Sequence, residues 1–228
     1  MRLMKTALLF DLDGTLVDTD HLHFDAFNQL FAELGFQIDR PTYTAKIMGQ
    51  PNSGIAEAIL PHLPGADALA LLTRKESAYR DMVDAPATTL ARIVGLLDLL
   101  DWAAGLGIPC GVVTNAPRDN AELVLASLGL ANRFQTLVIG DELAHAKPHP
   151  LPYLTGLDRL GATAAQSVAF EDSPSGLRAA VAAKIPAIGV MTSLAEPAIL
   201  GLGATLAVPN FSDARVRDLI LQRMAGTA

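Results

Sequence analysis

The sequence has little cysteine, few aromatic residues and no long apolar run. Cys110 is the one cysteine among 228 residues, so a disulfide within the chain is impossible. It lies in an apolar run, where a small buried side chain is commoner than a catalytic thiol. The apolar run near the start ends at Asp11, which is too short for a signal peptide, and no run reaches the length of a membrane span. We therefore expect a cytoplasmic protein.

Positive charge is scarce as well. Lys and Arg number 17 against 24 Asp and Glu, which gives a formal net charge of -7. An acidic chain without a basic run repels nucleic acid and anionic membranes, so neither is an expected partner. A small anionic substrate is compatible with this balance, because a few local cations can dominate a pocket. The P-loop, G-x-S-x-G and H-E-x-x-H motifs are also missing from the sequence.

Six short apolar runs, each bounded by Gly, Pro or charge, predict β-strands. Most are continuously apolar, which is typical of strands buried on both faces of a parallel sheet. Helical patterns lie between them, for example over residues 121–128 and over 177–183, the second with Ser173 as its N-cap. This alternation predicts an α/β fold with a doubly wound, Rossmann-like parallel sheet. The strands are predicted at 6–10, 110–114, 136–139, 167–170, 187–190 and 205–208.

One segment interrupts the alternation with helical patterns alone. Within it, Phe27 and Phe31 lie four residues apart on one helical face. No convincing strand pattern occurs between the first and second predicted strands. We therefore predict an inserted all-helical cap domain over residues 18–85, with an α/β core formed by residues 1–17 and 86–228.

Two aspartates directly follow the first predicted strand. Side chains two apart on an extended chain point the same way, so Asp11 and Asp13 can face one site, and Gly14 permits a sharp turn. Ligands of open α/β sheets bind beyond the carboxyl ends of the strands, where this pair falls. The alternative is a solvated turn, since Asp-Gly is common in turns. A calcium loop is excluded, because Leu16 and Leu22 stand where it needs Gly and Glu.

Three further strand ends or adjoining loops carry polar residues. Thr114 and Asn115 can donate to a phosphate oxygen, or cap a helix. Lys147, followed by a proline, can supply a fixed cation, or be an ordinary surface lysine. Glu171 and Asp172 would repel the first pair of acids unless a cation such as Mg²⁺ lay between them, although they could instead favour a helix N-terminus.

The four motifs together predict a site for phosphoryl transfer. A parallel sheet gathers its strand ends on one edge, so the motifs would combine a nucleophile pair, an anion donor, a cation and a metal site. Phosphoryl transfer needs these parts, because its main demands are positioning and charge neutralisation.

The order and spacing of these motifs resemble the four signature motifs of the haloacid dehalogenase superfamily. The resemblance covers essentially the whole chain. The runs FDLDGTLVDT, KPHP and FEDSPSG are similar to the helical-cap branch, which includes phosphoglycolate phosphatase and β-phosphoglucomutase. The resemblance implies a phosphoric monoester hydrolase with an Asp11 nucleophile that forms an aspartyl-phosphate, and with Asp13 as general acid and then base. It further implies phosphate binding by Thr114, Asn115 and Lys147, and Mg²⁺ binding by Asp11, the Asp13 carbonyl and Asp172, with Glu171 as a helper.

The resemblance also bears on the reaction class. Dehalogenases of the superfamily lack the second aspartate and phosphonate-cleaving members replace it, so Asp13 favours phosphate esters. A mutase would carry basic residues around a cap glycine, whereas here no cation follows Lys46 in that stretch. His23 falls where the mutase branch has a proton-handling His, although a structural histidine is the alternative. The candidate substrate contacts are His23, Gly49, Gln50, Asn52 and Arg118.

The leading hypothesis is therefore a Mg²⁺-dependent phosphatase that acts on a small phosphorylated metabolite, either a sugar phosphate or a phosphoglycolate-like acid. The alternatives are a β-phosphoglucomutase-like mutase and, from a different class, a catalytically silent binding protein. The sequence predicts neither the physiological substrate nor the oligomeric state.

Overall fold

A computed structural model describes residues 6–226 and has strands and helices in the predicted alternation. The outermost parts of the predicted core, residues 1–5 and 227–228, lie outside the described residues. The strands are β1 (Leu8–Phe10), β2 (Cys110–Thr114), β3 (Thr136–Ile139), β4 (Val168–Glu171), β5 (Ala187–Val190) and β6 (Leu206–Val208). The α-helices are α1 (Asp20–Glu33), α2 (Arg40–Lys46), α3 (Asn52–Ile59), α4 (Gly65–Asp84), α5 (Leu96–Gly105), α6 (Arg118–Ser127), α7 (Leu151–Leu160), α8 (Pro174–Ala182), α9 (Glu196–Gly201) and α10 (Ala214–Met224).

The six strands form one parallel sheet in the order β3-β2-β1-β4-β5-β6, which confirms the predicted α/β fold. The order reverses between β1 and β4, so the crevice beyond their carboxyl ends is the expected place for a ligand. Strand β4 extends one residue further than predicted. The sequence pattern ended it at Phe170, but Glu171 pairs with Gly189 of β5 and is fully buried.

Two hydrophobic clusters cover the two faces of the sheet, because neighbouring side chains on a strand point to opposite faces. Phe10 belongs to one cluster and Leu9 to the other. The rings of Phe10 and Phe170, side by side on β1 and β4, stack with centroids 4.6 Å apart. Cys110 lies buried in the first cluster, and burial raises the pKa of its thiol to about 12. It is therefore a small packing side chain, as expected.

Helices α1 to α4 occupy the segment predicted to be helical. A third hydrophobic cluster joins them and includes both Phe27 and Phe31. The two connections between this segment and the sheet run side by side, since Val17 pairs with Arg92 in an antiparallel bridge. The proposed boundaries at 17/18 and 85/86 stay predictions. Within residues 6–226, no helix is both long and apolar enough to cross a membrane.

Helix signals near the strand ends acted as predicted. The Ser173 hydroxyl accepts a hydrogen bond from the Gly176 amide, and Pro174 is the first residue of α8. Helix α6 begins at Arg118, directly after its N-cap Pro117, and contains most of the predicted helical pattern of residues 121–128. Since its first turn follows β2 directly, its free amide groups point towards the same edge of the sheet as Thr114.

Candidate active site

The carboxyl edge of the sheet brings the predicted motif residues together. Asp11 follows β1 and its amide donates to the Phe170 carbonyl oxygen at 2.9 Å, which ties it to β4. Thr114 ends β2, and Lys147 lies in the loop between β3 and α7. One pocket beyond this edge is lined by six of the seven predicted core-motif residues: Asp11, Asp13, Thr114, Asn115, Lys147 and Asp172. Glu171 is fully buried behind the lining, where it contacts Lys147.

Lys147 is the central cation of this pocket. Its side chain is 2% exposed, and its Nζ lies 2.7 Å from Asp11 Oδ1 and 2.6 Å from Glu171 Oε1. Burial alone would lower the pKa of Lys147, but the two carboxylates raise it above its ordinary value. The lysine is therefore a charged ammonium that fixes the orientation of Asp11, and the surface alternative is wrong.

Glu171 has two further hydrogen-bond partners, of which Tyr153 lies outside the sequence motifs. The Tyr153 hydroxyl on α7 donates to Glu171 Oε1 at 2.7 Å, and the Ser173 hydroxyl lies 3.2 Å from Oε2. Tyr153 follows the KPHP run, but a tyrosine on an amphipathic helix gives no sign that its hydroxyl reaches a carboxylate. These contacts give both carboxyl oxygens of the buried Glu171 hydrogen-bond partners.

Three carboxylates converge where the sequence predicts a metal site. Oxygen atoms of Asp11, Glu171 and Asp172 lie within 4.8 Å of one another, and all three residues are buried. Burial, opposed by Lys147 but aided by repulsion from Glu171, raises the pKa of Asp11 to about 8, and burial with repulsion from Asp11 raises that of Asp172. An all-oxygen donor set with more negative than positive charge fits a divalent cation such as Mg²⁺.

A glycine makes room for this acidic group. Gly14 has φ +81°, and a Cβ there would lie 2.1 Å from Asp172 Oδ2. The Ser193 hydroxyl donates to the same oxygen, and Thr15 Oγ1 lies 3.4 Å from the other. The turn after β1 is therefore shaped around Asp172.

Asp13 lines the same pocket but its side chain lies apart from the three carboxylates. It accepts a hydrogen bond from the Thr19 hydroxyl, and His23 Nε2 lies 3.4 Å from its Oδ1. Burial would raise the pKa of Asp13, but hydrogen bonds from His23 and Thr19 help to lower it below its ordinary value. Asp13 is thus held as a carboxylate on the side of α1 and α4.

His23 connects Asp13 to a buried pair on α4 that the sequence did not reveal. Lys75 Nζ lies 2.9 Å from His23 Nδ1 and about as close to Glu76, at 3.1 and 3.2 Å. Because an ammonium can only donate, Nδ1 accepts and Nε2 carries the proton that faces Asp13. In the sequence, adjacent Lys and Glu on a helix indicate a solvated face, so neither residue was predicted.

The side chain of Asn115 forms hydrogen bonds to the backbone of two neighbouring segments. Its amide nitrogen donates to the Lys147 carbonyl at 3.1 Å and to the Gly49 carbonyl at 2.9 Å, while its Oδ1 accepts from the Lys147 amide. Ser175 donates a second hydrogen bond to the Gly49 carbonyl. Asn115 therefore positions Lys147 and holds the turn between α2 and α3 against the strand ends.

The structure brings four of the five candidate substrate contacts to the pocket. His23, Gly49, Gln50 and Asn52 line it, whereas Arg118 lies outside the lining. The Arg118 guanidinium instead forms a fork with Glu142, at 2.6 and 2.7 Å, and contacts Glu122 at 3.0 Å. The expectation for Arg118 is corrected, because these carboxylates hold it on the exposed side of α6.

Comparisons with known proteins identify relatives along most of the chain. The family model described as haloacid dehalogenase-like hydrolase matches residues 8–190. Validoxylamine A 7'-phosphate phosphatase of Streptomyces hygroscopicus subsp. limoneus is 32% identical over 192 residues, which cover 83% of this chain and 87% of the relative. A phosphoglycolate phosphatase of Xanthomonas campestris pv. campestris (strain 8004) is 32% identical over 185 residues, with coverage of 81% and 82%.

A solved structure has the same architecture. A mutant of CbbY from Rhodobacter sphaeroides, crystallised with xylulose-(1,5)bisphosphate, is 30% identical and superposes with a TM-score of 0.78. The match covers 92% of this chain and 96% of CbbY. The likeness therefore extends through both the sheet and the inserted helices.

The raised pKa of Asp11 predicts how stability depends on pH and metal. The folded value of about 8 exceeds the ordinary 3.8, so the metal-free protein should lose stability as the pH rises towards 8. Excess MgCl₂ should raise the melting temperature more at pH 8 than at pH 5, because metal ions compete with protons for carboxylates. Thermal unfolding followed by circular dichroism measures both effects.

The Asp11→Asn variant is the control, because the metal-free protein should then show a shallower dependence of melting temperature on pH. If Mg²⁺ did not change the melting temperature of the native protein at pH 8, the metal site would be contradicted.

Proposed function

This chain belongs to the haloacid dehalogenase-like hydrolases as a phosphoric monoester hydrolase, and we propose that it is a Mg²⁺-dependent phosphatase with an Asp11 nucleophile. The proposed substrate is a small phosphorylated metabolite, such as a sugar phosphate. The observation that carries the proposal is the buried group in which Lys147 holds Asp11 beside Glu171 and Asp172.

The carboxylates at the sheet edge would bind the metal ion through their oxygen atoms. Asp11, Asp172 and the backbone carbonyl of Asp13 would be ligands, and Glu171 would support them from behind. Bound Mg²⁺ supplies neutralisation of carboxylate and phosphate charge. Lys147 adds a fixed positive charge beside Asp11, so the chain's own residues let a phosphate dianion approach a carboxylate nucleophile.

Asp11 would be the nucleophile that attacks phosphorus. Its carboxylate follows the end of β1 and is fixed through Oδ1 by Lys147. Attack forms a bond from Asp11 oxygen to phosphorus and breaks the bond to the leaving alcohol oxygen. The aspartyl-phosphate is then hydrolysed by water, which divides one difficult displacement into two easier ones.

Asp13 would transfer the protons of both steps. In the structure its pKa is lowered, so it is the base form that His23 and Thr19 hold. A phosphate dianion beside Asp13 would raise that pKa by charge repulsion, which favours the acid form when substrate is bound. Asp13 would protonate the leaving oxygen and then accept a proton from the attacking water.

A phosphosugar mutase is the second candidate, and the contact of His23 with Asp13 favours it. A mutase must also bind the second phosphate group of its substrate while the aspartyl-phosphate persists. The turn with Gly49, Gln50 and Asn52 offers amides but no cation for that purpose. Conversion of a sugar 1-phosphate into a 6-phosphate in the presence of a bisphosphate primer would support the mutase, whereas release of inorganic phosphate supports the phosphatase. Turnover of either kind argues against a silent binding protein.

Asp11→Asn should abolish phosphate release while the fold persists, because the amide is nearly isosteric but is a poor nucleophile. Loss of a covalent nucleophile costs orders of magnitude in kcat. Turnover of p-nitrophenyl phosphate with Mg²⁺ is the measurement, with the circular dichroism spectrum as the control for folding. Retention of more than about one hundredth of the activity would refute the nucleophile assignment.

Asp13→Asn should reduce turnover of an alkyl phosphate more than that of p-nitrophenyl phosphate, since an activated aryl leaving group needs less protonation. The aspartyl-phosphate should also accumulate, because water is no longer activated. Acid-quenched protein analysed by mass spectrometry would show the added phosphoryl group. Equal losses for both substrates would count against Asp13 as the general acid.

Chelation by EDTA should remove activity, and Mg²⁺ but not Ca²⁺ should restore it. Ca²⁺ takes more ligands at longer distances, which would misplace Asp11 relative to phosphorus. Phosphate release after dialysis against each ion tests this expectation. Full activity in EDTA or with Ca²⁺ would be incompatible with the proposed magnesium site.

A further inference from the structure

The end of the pocket furthest from the sheet is formed by side chains of α1 to α4. We define the cap wall as six polar or aromatic residues that α1, α3, α4 and the turn between α2 and α3 contribute to the pocket lining. They are Asp20, Phe27, Gln50, Asn52, Lys75 and Glu76. Any alcohol that leaves from phosphorus beside Asp13 would contact this wall, so its charges bear on the choice of substrate.

Lys75 is the one Lys or Arg that the described chain contributes to the cap wall, and its donors are occupied. The residue is 3% exposed. Its Nζ contacts His23 Nδ1 at 2.9 Å and both oxygens of Glu76, and it lies 4.3 Å from the centre of the Phe27 ring. An ammonium has three N–H donors, so Lys75 has none to spare for an anion on a ligand.

Glu76 keeps Lys75 from leaving its present contacts to pair with an anion on a ligand. It is 5% exposed, and Asn120 of α6 donates to its Oε2 at 2.7 Å. Burial would raise the pKa of Glu76, but the charge and hydrogen bonds of Lys75, with help from Asn120, lower it below its ordinary value. If a ligand anion drew Lys75 away, the Glu76 carboxylate would stay buried and charged without its cation, which is strongly unfavourable.

Asp20 adds a second carboxylate to the wall. Its cation is Arg40, whose NH1 lies 2.6 Å away, and Arg40 does not line the pocket. The only other lysine in the described lining is Lys147, which Asp11 and Glu171 hold at the opposite end. A carboxylate or second phosphate on the leaving group would therefore face two carboxylates and no free cation.

An uncharged leaving alcohol complements the cap wall better than an anionic one. Hydroxyl groups can donate to the carboxylates and exchange hydrogen bonds with the amides of Gln50 and Asn52. The ring of Phe27 offers an apolar face for carbon-bound hydrogens. We propose that the cap wall selects phosphate monoesters of uncharged, hydroxyl-bearing alcohols and rejects monoesters that carry a second anionic group. This inference rests on the proposed phosphatase function, and it excludes phosphoglycolate-like acids and bisphosphates as preferred substrates.

Two substrate pairs that differ in leaving-group charge test the proposal on the native protein. Glycerol 3-phosphate and 3-phosphoglycerate differ by a hydroxymethyl group in place of a carboxylate. Fructose 6-phosphate and fructose 1,6-bisphosphate differ by one phosphoryl group. Within each pair, kcat/KM for the uncharged leaving group should be at least about tenfold higher, since an unpaired buried charge is costly.

Charge-neutralising variants identify the residues responsible. Glu76→Gln leaves Lys75 without its carboxylate and should reduce the neutral-to-anionic ratio of kcat/KM by about tenfold. Asp20→Asn, on a different helix, should reduce it in the same direction and covers the case in which Glu76→Gln does not fold. Glu33→Gln is the matched control, because Glu33 pairs with Arg74 of α4 at 2.6 Å on the exposed surface. This control should leave the ratio unchanged.

The outcomes separate this inference from the function on which it rests. A ratio near or below one in an active wild-type enzyme, or a ratio that neither pocket variant lowers, overturns the charge selection and leaves the phosphatase intact. Failure to release phosphate from every substrate, p-nitrophenyl phosphate included, overturns both. A high wild-type ratio that falls with either pocket variant but not with the control establishes the proposal.

Discussion

The structure is organised around an excess of buried negative charge. If all are ionised, Asp11, Glu171 and Asp172 bring three charges against the single ammonium of Lys147, in surroundings that exclude most water. Such a group is unfavourable unless a cation completes it, because desolvated carboxylates repel one another. The sheet supplies the means of assembly. Parallel strands β1 and β4 end side by side, so carboxylates distant in sequence are fixed at one edge. The close packing around these carboxylates also requires glycine at position 176, since a Cβ at Gly176 would lie 1.9 Å from the Glu171 carboxyl carbon.

The helices over this edge depend on the same group through Asn115. One side-chain amide joins the backbone of Lys147 to the Gly49 carbonyl, so the position of the cation and the position of the α2–α3 turn share a residue. Gly49 has φ +71°, and a Cβ there would lie 2.6 Å from the Ser173 hydroxyl. The α2–α3 turn therefore lies directly against the start of α8 and forms part of the pocket lining. Exclusion of water strengthens every charge interaction inside, which suits a reaction whose main demand is electrostatic.

Much of this arrangement follows from local sequence, and the rest requires the tertiary structure. Continuous apolar runs predicted all six strands, because burial on both faces removes the polar alternation, and motif residues at the strand ends had to meet on one edge. Lys75 and Glu76 escaped prediction, because adjacent opposite charges on a helix usually face solvent. Their burial depends on His23 and Asn120, which belong to distant elements. Arg118 was misplaced for a related reason, since its partner Glu142 follows β3 and no pattern relates the two.

One rule, that a buried charge must be paired, has opposite consequences at the two ends of the pocket. At the sheet edge, carboxylates outnumber cations, so the proposed site would attract a metal ion and, with it, a phosphate dianion. At the cap wall, Lys75 is matched by Glu76 and Asp20 by Arg40, so no attraction for a second anion remains. Under the proposed function, a phosphate monoester would therefore have one favourable orientation in the pocket, with phosphorus beside Asp11 and the alcohol towards α1 and α4. The placement of paired and unpaired charge along a single pocket would thus orient the substrate before any contact specific to its carbon skeleton is made.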